Sequence, residues 1–329
     1  MKYYDVAFDN DHAHEPLRIK GNIDVSKIPD NPTALKIVKD FMSKAVENCL
    51  REPVGEMKYK FVVPGAEYQD LWDWDSFFMC CALSDDKLDY IEGTIKGLLD
   101  AAGENGQSAK MVTRDGKILR NPQTIPILAQ FTYIAAKRMN DFSWTEQYWE
   151  KLERVIEYYD RTFMRKGFYI WMQWNGIDNN PSLYGQVPNT VAGADLATWI
   201  YRELKAMQKL AHRLGKDKES YYYDRAEELK AFIRKNYFDY ADGFFYDVLR
   251  NTDDVKIPKM FQTIQWNTFI KFKSWSNIFP LWGNAADDEQ AANIVKKVMS
   301  PAEFLSCCGI RSHSKNDMVY NNEPMGNPS

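Results

Sequence analysis

Two kinds of apolar segment alternate along this chain. In one, apolar residues recur at steps of three and four; in the other, they occupy almost every side of the helix they predict. Asn31-Pro32 opens the first periodic segment, whose inward stripe is Leu35, Val38, Met42, Ala45 and Cys49. After Gly65 and an acidic, aromatic loop, a helix starting near Asp75 runs apolar on nearly all sides through Leu83, which predicts a buried inner helix. Ser84-Asp85-Asp86 breaks it and starts another, with the stripe Leu88, Ile91, Ile95 and Leu98 and with Glu92 and Lys96 on its outer face. Residues 111–118 predict a hairpin turning at Asp115-Gly116. Asn121-Pro122 opens an apolar helix to about Met139, and Ser143 with Glu146 reads as a capping box for an amphipathic helix reaching about Arg165.

The series continues with a long loop over 171–189, a helix over about 192–214 closed by Gly215, and an amphipathic helix over 222–236. A hairpin at Asp242-Gly243, a helix over 287–299 and a short helix begun by Ser300-Pro301 follow. Strand-like runs that could build a main sheet are missing from the pattern. Inner helices wrapped by one-sided outer helices, with aromatic loops recurring before the inner ones, predict an all-α fold of the (α/α)6 toroid type with small β-hairpins in its loops. Roughly nine or ten helices are readable, where six hairpins need twelve. The toroid is therefore expected to be incomplete at the C-terminus. The domain expectation is an irregular N-terminal arm over 1–30 and one incomplete catalytic domain over 31–329.

Composition narrows the function. The 329 residues are 45% hydrophobic, enough for a sizeable core, and carry a net charge of -4 with no dense block of Lys and Arg. That balance excludes tracking a phosphate backbone or an anionic bilayer, so neither nucleic acid nor membrane is an expected partner. The aromatic content is 14%, with 10 Trp and 19 Tyr, and several of these residues fall in polar loops. Carbohydrate recognition is the simplest use for them. The five cysteines include the adjacent pairs Cys80-Cys81 and Cys307-Cys308, show no C-x-x-C spacing, and are expected to be reduced. The first residues lack the pattern of a leader peptide and no run approaches a membrane span, so the expected location is cytoplasmic. Asp9-Asn-Asp-His-Ala-His14 reads as solvated arm, and neither a metal nor a cofactor is expected.

The candidate chemistry sits in two loops. Tyr68-Gln-Asp-Leu-Trp-Asp-Trp-Asp-Ser-Phe-Phe78 places two indoles and three carboxylates ahead of a helix. Indole faces stack on a pyranose ring, carboxylates accept from its hydroxyls, and a helix start favours an anion such as Asp75. The second loop is Trp171-Met-Gln-Trp-Asn-Gly-Ile-Asp-Asn-Asn-Pro181, and the two are expected to face each other. Blander readings stand beside these. Asp75 suits a helix N-cap, Asp178-Asn179 suits a turn before Pro181, and one of Trp72 and Trp74 suits the core, with Trp72 the one assigned to the pocket. Asp73-x-Asp75 also has the spacing of a metal-binding pair, without the acidic partner cluster such sites require. His212 reads as part of a solvated face.

Leu71-Trp-Asp-Trp-Asp-Ser-Phe-Phe78 together with Gly176-Ile-Asp-Asn-Asn-Pro181 resembles glycoside hydrolase family 63, which holds processing α-glucosidases and hydrolases of glucosylglycerate and mannosylglycerate and shares its fold with trehalases. Either loop alone is a weak signature; joined, they are specific. Supporting stretches are Asn121-Pro-Gln-Thr-Ile-Pro126, which contains Gln123, Asp195-Leu-Ala-Thr-Trp-Ile-Tyr-Arg-Glu-Leu204, and Gly309-Ile-Arg-Ser-His-Ser-Lys-Asn-Asp317. The resemblance implies inverting hydrolysis of an α-glycosidic bond with Asp178 as general acid. It implies Asp75, Tyr68 and Trp72 as the subsite for the sugar that is cleaved, and brings Arg311 near the pocket. Gln123 and Trp174 complete the expected substrate-binding set. Trp171, Trp174 and Ile177 supply the apolar surroundings that raise an acid's pKa.

Two departures weigh against full activity. Many members carry an arginine where this chain has Ser182, and the family's tryptophan-rich loop and base glutamate lie beyond Ser329. Glu323 is the one carboxylate placed to serve as a base. The alternative to a hydrolase of a small α-glucoside or α-mannoside is thus a catalytically inactive sugar-binding fragment. An epimerase on the same toroid is disfavoured by the presence of only four histidines.

Overall fold

A computed structural model describes residues 31–172, 180–183, 186–250, 267–306, 309–318 and 320. Among them are nine α-helices: α1 (Asn31–Glu47), α2 (Trp74–Ala82), α3 (Leu88–Ala101), α4 (Leu128–Met139), α5 (Trp149–Phe163), α6 (Ala194–Leu214), α7 (Glu219–Asn236), α8 (Phe279–Trp282) and α9 (Asp288–Val298). The 21-residue α6 is the axis of packing and touches α4, α5, α7 and α8. Its N-terminal two turns, from Ala194 to Tyr201, are buried on every side, as an inner helix requires. Gly215 ends it at φ 63, a left-handed conformation that a glycine adopts without strain. By contrast α5 buries one stripe, Leu152, Val155, Ile156, Tyr159 and Phe163, and leaves its other face to solvent.

Several expectations hold. The stripe Ile91, Ile95, Leu98 is buried in α3. Met111–Val112 pairs with Ile118–Leu119, and Phe238–Asp239 pairs with Phe244–Phe245, each through the glycine turn read from the sequence. Asp287 caps α9 with Gln290 closing a capping box.

Others are corrected. A five-stranded antiparallel sheet is present, in the order Asn267–Ile270, Asp247–Arg250, Val191–Ala192, Phe168–Trp171, Met164–Arg165. Its strands are two to four residues long and all four residues of Phe168–Trp171 are buried, so there was no polar phase to reveal a strand. The chain is therefore mostly helical with small sheets, rather than all-α with hairpins only. α4 starts at Leu128 instead of near Asn121, because Pro122 and Pro126 hold the residues before them extended. The first free amides of α4, Ala129 N and Gln130 N, donate to the Glu203 carboxylate of α6 at 2.8 and 2.9 Å. Ser143 makes no capping box; Ser143–Tyr148 is a 3-10 turn, and Ser143 N donates to Asp141 at 2.8 Å. Ser300-Pro301 leads into a turn and not a helix.

The stripe of α1 is exposed, with Leu35, Val38 and Met42 near half accessible, and only Val46 and Cys49 reach the core. α2 buries Ser76, Phe77 and Cys80, while Phe78 is 38% accessible, so it is covered on one side and not all round. Cys49, Cys80 and Cys81 are free thiols. Among the described residues no helix is long and apolar enough to cross a membrane.

Candidate active site

The start of α2 carries the first group of candidates. Leu71–Trp72 pairs with Met111–Val112, and Asp73 then turns the chain into the helix, its amide held by Lys110 O at 3.0 Å. The N-cap is accordingly Asp73 and not Asp75, although its side chain makes no capping bond. Asp73 is buried, and that burial pushes its carboxyl up to about 7, with the charge of Asp75 adding to the effect. Asp75 lies half-buried in the first turn, near the positive end of the helix. The half-buried Trp72 meets Tyr68 edge-on at 6.3 Å, and Lys110 Nζ lies 5.7 Å from its ring centre. Trp74 points elsewhere and stacks on Trp275 at 6.3 Å with 12° between planes. Both indoles are half-buried, so neither is wholly core, and Trp72 is the one beside Tyr68.

The second loop is gripped at both ends. Before it, the buried Gln123 amide donates to Ile170 O at 2.9 Å and accepts from Met172 N at 2.6 Å. Gln123, expected to bind substrate, thus has its amide engaged with the strand that delivers the loop. The neighbouring Thr124 receives the Tyr159 hydroxyl at 2.5 Å on its carbonyl, and just beyond this segment Phe131 of α4 meets Phe77 of α2 edge-on at 5.3 Å. Trp171, expected beside Asp178, is buried and donates its Nε1–H to Asp195 Oδ1 at 2.6 Å. After the loop, Asn180 Oδ1 accepts from Ser182 N at 3.0 Å, and the fully buried Ser182 faces Asp247. Asp178 and Trp174 lie outside the described residues, as does Glu323.

Behind the loop sit two buried carboxylates. Asp247 Oδ1 accepts from Ala194 N at 2.9 Å, and Asp195 Oδ1 accepts from Leu196 N at 2.6 Å. Burial holds the Asp195 carboxyl well above the usual range, the neighbouring charge of Asp247 raises it further, and burial also raises Asp247. Asn277, in the 3-10 turn Trp275–Ile278 ahead of α8, favours the charged form of Asp247. The next residues outward close a circuit: Trp275 stacks on Trp74, and its amide donates to Ser312 O at 2.8 Å. Through that bond the stretch holding Arg311 joins the same end of the molecule. Arg311 itself is half-buried and donates to Leu305 O.

Four helix starts are thereby joined in a ring: α2 through Phe77 and Phe131 to the first turn of α4, the segment before α4 through Gln123 to the loop before α6, α6 through Asp247 to the turn before α8, and that turn through Trp275 back to α2. Tyr68, Trp72, Asp75, Gln123 and both anchors of the loop that carries Asp178 lie on this ring. Among the described residues no group of three His, Cys, Asp or Glu could hold a metal. Sequence reasoning missed Asp195, Asp247 and Trp275 as parts of the site. A lone carboxylate inside the runs Val191 to Ala197 and Phe244 to Val248 was the available signal, because a buried charge needs a reason.

Residues 68–325 match the family described as the mannosylglycerate hydrolase MGH1-like glycoside hydrolase domain. The chain belongs to that family. It is a glycoside hydrolase by membership, and the match takes in both loops and the 309–317 stretch. No curated protein matches the chain at the sequence level. Among solved structures, this hydrolase is similar to an uncharacterized conserved protein from Thermus thermophilus, with a TM-score of 0.65 and 16% identity over 85% of this chain and 80% of that one. The GH63 mannosylglycerate hydrolase from Thermus thermophilus, solved with glucose, gives a TM-score of 0.60 and 16% identity over 78% and 75%. The neutral trehalase of Saccharomyces cerevisiae gives 0.59 and 15% over 91% and 66%. At such identities the likeness is one of fold.

Proposed function

We propose that this glycoside hydrolase cleaves the α-glycosidic bond of a small α-glucoside or α-mannoside with inversion, and that Asp178 is its general acid. The observation that carries the reading is the ring of helix starts, which sets the half-exposed Asp75 and the Trp72 and Tyr68 pair on the same circuit that anchors both ends of the Asp178 loop. Such a ring suits an (α/α)6 toroid with its pocket at the N-terminal ends of the inner helices. In this reading Asp75 accepts hydrogen bonds from sugar hydroxyls, and Trp72 with Tyr68 covers one face of the ring. Trp174 and Arg311 complete the substrate-binding set. Asp178 protonates the glycosidic oxygen while a carboxylate about 6.5–9.5 Å away activates water on the opposite face. Glu323 is the candidate within this chain for that second role.

Glucose and D-glycerate, bound in crystals of the Thermus mannosylglycerate hydrolase, make glucosylglycerate and mannosylglycerate the first substrates to try. Proton NMR of the fresh products tests the proposal. The β-anomer is expected first, and Asp178→Asn is expected to lower turnover by about 10²–10⁴-fold. Retention of configuration, or unchanged turnover in Asp178→Asn, overturns it. Calorimetric sugar binding without any turnover would assign the chain a sugar-binding role instead.

A further inference from the structure

Around Asp195 the protein buries more hydrogen-bonding capacity than it uses. Oδ2 of Asp195, Oδ2 of Asp247, Oγ of Ser182 and Nδ2 of Asn180 and Asn277 are all buried, and none completes a hydrogen bond of ordinary geometry. Ser182 and Asn277 nevertheless point their donors at Asp247 closely enough to favour its charge. An apolar replacement of this cluster would cost less than an unsatisfied one, so the polar groups have a use beyond stability. A cation is a poor occupant, because Ser182 and Asn277 turn donors toward Asp247 and among the described residues no third His, Cys, Asp or Glu joins the two carboxylates. The cluster's position supplies the use. Trp171 enters it from the strand that leads into the Asp178 loop, and Asn180 and Ser182 lie at the far end of the same loop, with Ser182 turned to Asp247.

Gly193 makes the fit specific. A Cβ at that position would lie 2.2 Å from Trp171 Nε1 and 2.5 Å from Asp195 Oδ1, so the indole crosses directly over the backbone that precedes α6. One side of the brace therefore rests on α6, the longest helix among the described residues, and the other on the strand Asp247–Arg250.

We propose that Asp195 and Asp247 are positioning residues, a buried brace that fixes both ends of the Asp178 loop so that its carboxyl meets the leaving oxygen. The brace touches neither substrate nor reacting atoms. It rests on the reading of Asp178 as general acid, and two measurements separate the two ideas. Hydrogen exchange over 172–183, read by mass spectrometry, reports the loop without any turnover. Asp195→Ala and Trp171→Phe are expected to speed exchange there about tenfold or more and to leave the body of α6 unchanged, whereas Asp195→Asn, which keeps the acceptor for the indole, stays within about threefold of the parent chain. Unchanged exchange in both disrupting variants, or a rise spread evenly through α6, overturns the brace. If Asp195→Ala does not fold, Trp171→Phe with Asp195→Asn carries the same comparison.

The second measurement compares an alkyl α-glycoside, which needs protonation to depart, with a glycosyl fluoride, which does not. The brace predicts that Trp171→Phe and Asp195→Ala lower kcat on the alkyl glycoside about 10–100-fold, with KM and fluoride turnover within about threefold. Equal losses on both substrates overturn the positioning role. Asp178→Asn, measured alongside, must show the same split. If it does not while exchange still responds, the acid assignment has failed and the brace has not.

Discussion

The starts of α2 and α6 are built from the same materials and use them in opposite directions. Each has an aspartate in its first turn and a tryptophan beside it, Trp72 on the strand that leads into α2 and Trp171 on the strand paired with the one that leads into α6. At α2, Trp72 Nε1 is buried without a hydrogen bond, Asp75 is half-buried, and the aromatic pair with Tyr68 lies toward solvent. At α6, the indole of Trp171 is bonded to Asp195, both residues are sealed from water, and a second carboxylate backs them. The difference teaches that an indole and a carboxylate near a helix start do not by themselves make a sugar subsite. What decides is whether solvent, and so a visitor, can reach the carboxylate or whether the chain has closed over it.

The contrast is broken most forcefully at Gly193. Gly193→Ala must displace either the indole or the carboxylate, and is expected to cost about 3 kcal/mol in denaturant unfolding, in the range of overpacking plus a broken buried hydrogen bond. A loss below about 0.5 kcal/mol would mean that α6 does not depend on the Trp171 and Asp195 contact. At α2 the matching lesion is functional. Asp75→Ala is expected to lower kcat/KM about 100-fold through lost charge-assisted bonds to sugar hydroxyls, and to leave the unfolding midpoint nearly in place. Were the midpoint to fall as far as in Gly193→Ala, Asp75 would belong with the brace and not with the pocket.

These two regions were unequally legible in the sequence. The α2 start announces itself, since its two tryptophans and three carboxylates fall within a few residues and cannot all be buried. The α6 brace joins Trp171 to Asp195, twenty-four residues on, and Asp247 to Ala194, fifty-three residues apart, and no local pattern records such pairings. Helices with one apolar face, such as α3 and α5, were readable because periodicity reports burial directly. The sheet was not, because two-residue strands such as Val191–Ala192 are too short to show a period. α1 marks a different limit. Its stripe correctly predicted a helix, but periodicity names no partner, and among the described residues Leu35, Val38 and Met42 have no cover.

A pH series sharpens the comparison further, because the ring holds carboxyls raised by burial. Asp73 and Glu203 are each pushed up to about 7, from ordinary values near 4 in the unfolded chain. Between those limits the folded state keeps protons that the unfolded state has lost, so stability is fully present below about 4 and declines as pH rises through about 7. The expected loss from pH 5 to pH 8 is on the order of 2–3 kcal/mol for each group, roughly 5 kcal/mol for the pair, and Asp73→Asn should remove about half of it. A midpoint that climbs steadily over this range would contradict the burial of these groups.

The smallest expected effect tests the link between the two helix starts. Trp74 belongs to α2 and Trp275 to the turn that carries Asn277 toward Asp247, so their stacked rings are one of the contacts, with Phe78 on Trp199 and Trp282, through which the start of α2 meets the brace side. Stacked aromatic pairs contribute about 0.5–1.5 kcal/mol beyond the area they bury. A double-mutant cycle of Trp74→Ala and Trp275→Ala is therefore expected to give a coupling of about 1 kcal/mol in unfolding. Each single variant loses more than this through lost burial, and the cycle removes that shared part. Additive losses would show that the rings lie side by side without holding each other, and the join between α2 and α8 would then rest on Phe78 against Trp282. A coupling near 1 kcal/mol would instead mean that the start of α2 and the turn holding Asn277 are fixed as one unit, which is the condition for a half-exposed Asp75 and a braced Asp178 loop to keep a constant separation.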